Sequence, residues 1–175
     1  MSRSRRREPA RGNATHAFAQ DFMRIRIVWE GKTKNLHLRA LAEDYAERIR
    51  PFSELVIQEL GGPRSSTRGR RRPGASEKQL LAKVAGSTKV VLDPRGREWT
   101  SDELAEWLGQ QALRGTRELA FLIGGPDGFS ETVRRDADLL LSLSRLTLTS
   151  DWARVLLLEQ IYRSFTILRG YPYSR

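Results

Sequence analysis

Apolar and polar positions change period several times along the chain, and each change marks an element. In "MRIRIVWE" (23–30), Ile25, Ile27 and Trp29 alternate with Arg24 and Arg26, which predicts a strand. From Asn35 the period becomes helical. Leu38, Leu41, Ala42, Tyr45, Ala46 and Ile49 predict an amphipathic helix over 35–51. "ELVIQEL" (54–60) reads as a strand and "TKVVLD" (88–93) as another. Ser76 with Gln79, and Thr100 with Glu103, carry the capping-box spacing that opens a helix. The second helix, 101–113, places Leu104, Trp107 and Leu108 on one face. "ELAFLIGG" (118–125) is a strand that stops at glycine, and Ser130 is a candidate cap for a helix over 131–139. "LLSLSRLTL" (140–148) reads as extended, and residues 151–168 as the last helix. Strands and helices alternate, and some strands are apolar on both faces. That predicts an α/β fold with a mostly parallel sheet covered by helices on both faces.

The first 22 residues show neither period and read as a disordered basic tail ahead of a single domain over 23–175. Met23 is a candidate translation start, which the intact mass of the native protein settles. The chain carries +10 in total. Residues 1–22 hold +3 and residues 61–75 hold +5, with five arginines each, so the rest carries only +2. The tail is read equally as a solvated segment or a polyanion contact. The loop, with Arg64, Arg68, Arg70, Arg71 and Arg72, is read as a contact to RNA backbone. There is no cysteine, and the two histidines, His16 and His37, lie far apart, which argues against metal and thiol chemistry. Apolar runs such as Val155–Leu158 are far short of a membrane span. A soluble cytoplasmic protein without membrane or metal partners is expected.

"FLIGGPDGF" (121–129) places Gly124, Gly125 and Gly128 at the carboxyl end of a strand, where parallel sheets bind ligands. The spacing fits neither a dinucleotide fingerprint nor a phosphate loop. By itself it is read as a tight strand-to-helix turn. "LSRLTLT" (143–149) then runs into "SDWARVLLLEQIYRSF" (150–165). The order IGGPDG, SLSxLTLT and RVxLxEQxYR resembles the bacterial ribosomal large-subunit pseudouridine N3-methyltransferases (the methyltransferase H family) of the SPOUT superfamily. The likeness is strong over 118–173 and extends more loosely back to Met23 through "VVLDPRGREWTSDELAEWL".

The resemblance implies S-adenosylmethionine as cofactor, a C-terminal trefoil knot, a homodimer, and 23S rRNA in assembled ribosomes as substrate. It maps the cofactor pocket onto Leu92, Gly125, Ser144, Arg145, Leu146, Thr147, Leu148 and Thr149. Gly125 then lets the ligand lie against bare backbone, and Gly125→Val is expected to abolish cofactor binding. Arg154, Tyr173 and Arg175 fall at positions the family uses near the substrate. Arg154 is read either as an anion or substrate contact, or as a surface ion-pair residue. Glu159 and Arg163 read as a helix-stabilising pair, and Tyr162 and Tyr171 as packing. Two family histidines are replaced, by Ser150 and Ser174, so no general base is identified. Two other readings stay open: a knotted rRNA- or ribosome-binding protein with weak or no catalysis, and a SPOUT methyltransferase acting on another RNA.

Overall fold

The computed structural model describes residues 23–61 and 74–173, with the side chains of 74–76 left out of the description. The basic tail, nearly all of the arginine loop, Ser174 and Arg175 lie outside the described residues. Five strands alternate with five helices: β1 (Arg24–Glu30), α1 (Leu36–Ile49), β2 (Leu55–Leu60), α2 (Gly74–Lys83), β3 (Thr88–Glu98), α3 (Ser101–Leu113), β4 (Glu118–Ile123), α4 (Glu131–Arg135), β5 (Leu139–Ser142) and α5 (Ser150–Arg169). The strands form one sheet in the order β2-β1-β4-β3-β5, and every neighbouring pair is parallel.

The double-sided apolar strands are explained by two separate cores. On one face, Ile25, Ile27, Leu119 and Phe121 meet Leu38 and Ile49 of α1, Leu104 and Leu108 of α3, and Leu157, Leu158 and Ile161 of α5. On the other, Val28, Val91, Ala120 and Leu122 meet Leu80 of α2, Val84 just after it, and Val133 of α4. Each fully buried large side chain contributes about 1.5–3 kcal/mol. The central strands β1 and β4 are therefore the most deeply buried. Leu41, counted among the apolar positions of α1, instead faces solvent.

Local chemistry sets the element ends. Asn35 caps α1 by accepting from the backbone of His37 and Leu38. Thr100 and Glu103 make the reciprocal capping box that their spacing predicts. At α2 the helix starts at Gly74, ahead of Ser76. Ser130 precedes α4 but makes no cap bond: its N–H and hydroxyl both donate to Glu77 of α2. That helix ends at Arg135 rather than 139. β5 stops at Ser142, so the run to 148 is mostly loop, because no strand partner continues past Glu98.

β3 runs five residues beyond the sequence expectation. Leu92 and Arg97 both pair with Leu141, so residues 93–96 loop out between them. Asp93 braces this loop, accepting from the backbone N–H of Arg95 at 2.9 Å and from its Nε at 3.1 Å, with Arg134 at 3.6 Å. Burial pushes the Asp93 carboxyl up, but the Arg95 bonds and the Arg134 charge hold it below its ordinary value. Gly96 lies flat on the Leu140–Leu141 peptide. A Cβ there would sit 2.6 Å from Leu140 C and from Leu141 N.

At the amino ends of the strands, Glu118 accepts from Arg26 Nε at 2.9 Å and from Ser87, with Arg24 at 3.5 Å. Burial raises the Glu118 carboxyl, and these partners outweigh it, leaving the group below its ordinary value. The contribution to stability is therefore full above the unfolded-state value and is lost as pH falls through the lower folded-state value. Urea denaturation should show wild type losing more stability between pH 6 and pH 3 than Glu118→Gln does. Equal losses would show that Glu118 carries none of the acid sensitivity.

Candidate active site

The site is built where β3, β4 and β5 end and α5 begins. α5 is capped at its start by Thr149, whose Oγ1 accepts from the Trp152 N–H at 3.4 Å, and at its end by Gly170 in the left-handed region. At the first residue of the helix, the Ser150 hydroxyl donates to the Gly124 carbonyl at 3.1 Å. The loop after β5 is thus fastened to the glycine loop after β4. Ser150 is a tie between these loops in this chain.

The three glycines have different tasks. Gly128 takes φ +66° and donates its N–H to the Gly125 carbonyl at 2.9 Å. A Cβ on Gly124 would lie 3.0 Å from the Gly128 backbone, so the turn closes only on a bare residue there. Gly125 differs from expectation. Its missing Cβ faces the Glu30 carboxylate, 3.0 Å from Oε2, rather than an open ligand surface.

Loop 144–149 stands open beside it. From Ser144 to Leu148 the main chain makes no backbone–backbone hydrogen bond among the described residues. Ser144 Oγ accepts from the Leu146 N–H at 2.9 Å and shapes the turn. Leu146 is 78% exposed and Leu148 36%. Arg145 reaches away to Glu98 at 2.8 Å, an exposed pair screened by solvent. Leu92 ends the first half of β3, half-buried against the larger core. Leu92, Gly125 and 144–149 thus belong to three adjoining strand ends, as a shared pocket requires.

Arg154 is not a surface residue. It is 2% exposed, and its guanidinium donates to the Glu30 carbonyl at 2.6 Å, the Gly31 carbonyl at 3.2 Å, Thr33 Oγ1 at 2.8 Å and Asp151 at 3.1 Å. It also lies over the Trp29 ring at 5.0 Å. Its Nε is buried without a partner. Burial pulls the guanidinium below its ordinary value, and Asp151 and Glu59 oppose that pull. Within one chain it offers no face to a ligand; it clasps the segment after β1 to α5. Thr33 and Asp151, its partners, carried no sequence signal.

Tyr173 lies elsewhere. Its ring meets Tyr162 edge-on at 4.8 Å, its hydroxyl is 3.2 Å from that of Tyr45, and the Arg163 guanidinium lies over it at 4.8 Å. Burial and the Tyr45 contact push its hydroxyl well above its ordinary value. Ser150 and Tyr162 are separated by roughly 18 Å of helix rise. The glycine loop and Tyr173 therefore occupy different ends of α5 in one chain. Tyr162 packs as expected, Tyr171 is half exposed beside Phe52, and Glu159 pairs with Arg163. Among the described residues no acid, histidine and cysteine grouping is able to hold a metal, and no helix is long and apolar enough to cross a membrane.

Comparison with known proteins matches this arrangement. The family described as "Predicted SPOUT methyltransferase" matches residues 23–174. "Ribosomal RNA large subunit methyltransferase H" of Geobacter sp. (strain M21) is 42% identical over 151 residues, covering 86% of this chain and 98% of that protein. The Deinococcus deserti protein of the same name is 39% identical over 154 residues, covering 87% and 100%. Among solved structures, a probable methyltransferase from Bordetella pertussis Tohama I shares the fold, with a TM-score of 0.52 at 13% identity over 86% of this chain and 99% of that one. An open loop of exposed leucines tied to a glycine turn at the carboxyl edge of a parallel sheet, and relatives alike over nearly their whole length, lead to one conclusion: the chain belongs to the ribosomal RNA large subunit methyltransferase H family of SPOUT methyltransferases.

Proposed function

We propose that the protein is an S-adenosylmethionine-dependent methyltransferase that methylates N3 of a pseudouridine in 23S rRNA, on assembled ribosomes in the cytoplasm. The observation that carries this reading is loop 144–149. Apart from the Ser144 carbonyl and the Leu146 N–H, which bond to serine side chains, the peptide groups from Ser144 to Leu148 are open to the polar edge of an adenine, and exposed Leu146 and Leu148 suit its faces. The residues present thus fit the cofactor, with Leu92, Gly125 and Ser144–Thr149 as its cradle. When bound, S-adenosylmethionine supplies an electrophilic methyl group.

The chain's own part is orientation. Ser150 holds the two loops in register, and Arg154 fixes the β1 end beside them. Arg154 acts as a positioning residue, since its donors are committed inside the chain. Ser150→Ala should weaken cofactor affinity several-fold and cost about 1 kcal/mol of stability. Calorimetric titration checks this, and unchanged affinity would remove Ser150 from the site.

Separation of Tyr173 from the glycine loop supports a homodimer whose site takes the tail, Tyr173 with Arg175, from the second copy. Complementation tests it. Leu146→Asp damages the cofactor loop and Tyr173→Ala the tail, so each variant alone should be inactive. Co-expressed, they should recover part of the activity, because mixed dimers retain one intact composite site. No recovery would place both residues in one chain's site.

A further inference from the structure

We propose that the first turn of α5 and the segment after β1 form a docking surface for single-stranded RNA beside the methylation site: Trp152 stacks on an unpaired base of the substrate strand, and Lys32 and Lys34 hold its phosphates. The inference rests on the methyltransferase reading above and names where the RNA lies.

The chain has four tryptophans, and three are occupied within the fold. Trp29 is 4% exposed beneath Arg154, and Trp99 and Trp107 pack against each other with ring centroids 5.5 Å apart. Trp152 differs: it is 52% exposed. It lies two residues after Ser150, which ties the glycine turn to the cofactor loop. An aromatic side chain open to solvent at that place suits a base drawn out of its stack. Every base offers a flat face, so stacking holds it without reading its edge.

A cationic segment runs alongside. The Lys34 N–H donates to the Asp151 carboxylate at 3.3 Å, which brings this segment against the residue preceding Trp152. Thr33 turns inward, its hydroxyl accepting from Arg154 at 2.8 Å, and Lys32 and Lys34 on either side of it are exposed. Both lysines are thus carried by backbone that the buried Arg154 holds through Glu30, Gly31 and Thr33. Lysines on a fixed backbone orient an RNA strand without reading its sequence. Asp151, the acid in this surface, is engaged by Arg154 at 3.1 Å and by the Lys34 N–H, so its charge is compensated.

Charge chooses the occupant. A second copy of the chain, itself carrying +10, would have to bury two lysines along with Trp152. A polyanion meets the same lysines with its own phosphates and releases counterions as it does so.

Kinetics on assembled ribosomes that lack the methyl group test the surface. Trp152→Ala should raise KM for ribosomes about five- to 150-fold, the range of one base–aromatic stack. Its kcat and cofactor affinity should stay within about threefold of wild type, the signature of lost uniform binding. Trp152→Phe, which keeps a ring, should recover most of the loss. The double variant Lys32→Ala/Lys34→Ala has a readout that needs no turnover. The slope of log affinity against log salt, measured with a pseudouridine-containing hairpin of 23S rRNA, should become shallower by about 1.4, since each phosphate contact on a single strand contributes about 0.7. Ribosome KM within about twofold of wild type for Trp152→Ala, its loss of cofactor affinity, or an unchanged salt slope for the double lysine variant would overturn the proposal. So would Trp152→Ala that sediments as a monomer where wild type sediments as a dimer, which would assign the surface to a second copy. Wild type that transfers no methyl group sinks the function itself, an outcome distinct from a working wild type with unaffected variants.

Discussion

Gly96→Ala should be the most damaging single-atom addition in the described chain. The new Cβ would lie 2.6 Å from Leu140 C and Leu141 N and 2.7 Å from Leu140 O, all backbone. No side chain is available to swing aside. Relief requires separating β3 from β5 at the place where Leu141 pairs twice. Overpacking typically costs 1–3 kcal/mol, and a backbone clash belongs at or above about 3 kcal/mol. For a chain of this size that lowers the melting temperature by on the order of 10 °C. Gly125→Ala is the comparison. Its Cβ meets only the far end of Glu30, so thermal stability should change little. Thermal denaturation of both variants reads the contrast. A Gly96→Ala protein that melts with wild type would show that the β3–β5 crossing is looser than described.

Arg154→Ala should be nearly as severe. The guanidinium serves the carbonyls of Glu30 and Gly31, the Thr33 hydroxyl and Asp151, all from a position that is 2% exposed. Truncation leaves those acceptors unpaired and a void against Trp29. Breaking a buried charged network of this kind costs about 3–5 kcal/mol. Arg154→Lys should fall between, because one ammonium cannot replace a planar fork that spans two carbonyls. The segment after β1 would loosen and cofactor affinity would fall with it. Melting within about 2 °C of wild type for Arg154→Ala would contradict the clasp.

The sequence revealed the elements whose pattern is local. The periods around Ile25 and Leu38, the Thr100–Glu103 box and the doubly apolar "AFLIG" follow directly from backbone geometry, and the sheet with helices on both faces followed from them. What stayed hidden depends on distant pairing. Nothing in "LDPRGRE" shows that β3 resumes after a four-residue loop, because the reason is Leu141, more than forty residues away. The shortness of β5 has the same cause. At the site, the motifs located loop 144–149 and the glycine turn, and the structure brings them together through Ser150. Gly125 was read as a ligand surface because a glycine carries no mark of which way its absent Cβ points. Arg154 was weighed as a substrate contact or a surface pair, and its burial comes from Thr33 and the β1 end, which pattern alone does not place near α5.

The central claim is tested most directly by supplying labelled S-adenosylmethionine to assembled ribosomes that carry the pseudouridine but lack its methyl group. The account predicts label at that one 23S nucleotide, at N3, despite serine at both family histidine positions. Cofactor-binding protein that leaves the ribosomes unlabelled, or that labels a different RNA, would contradict it.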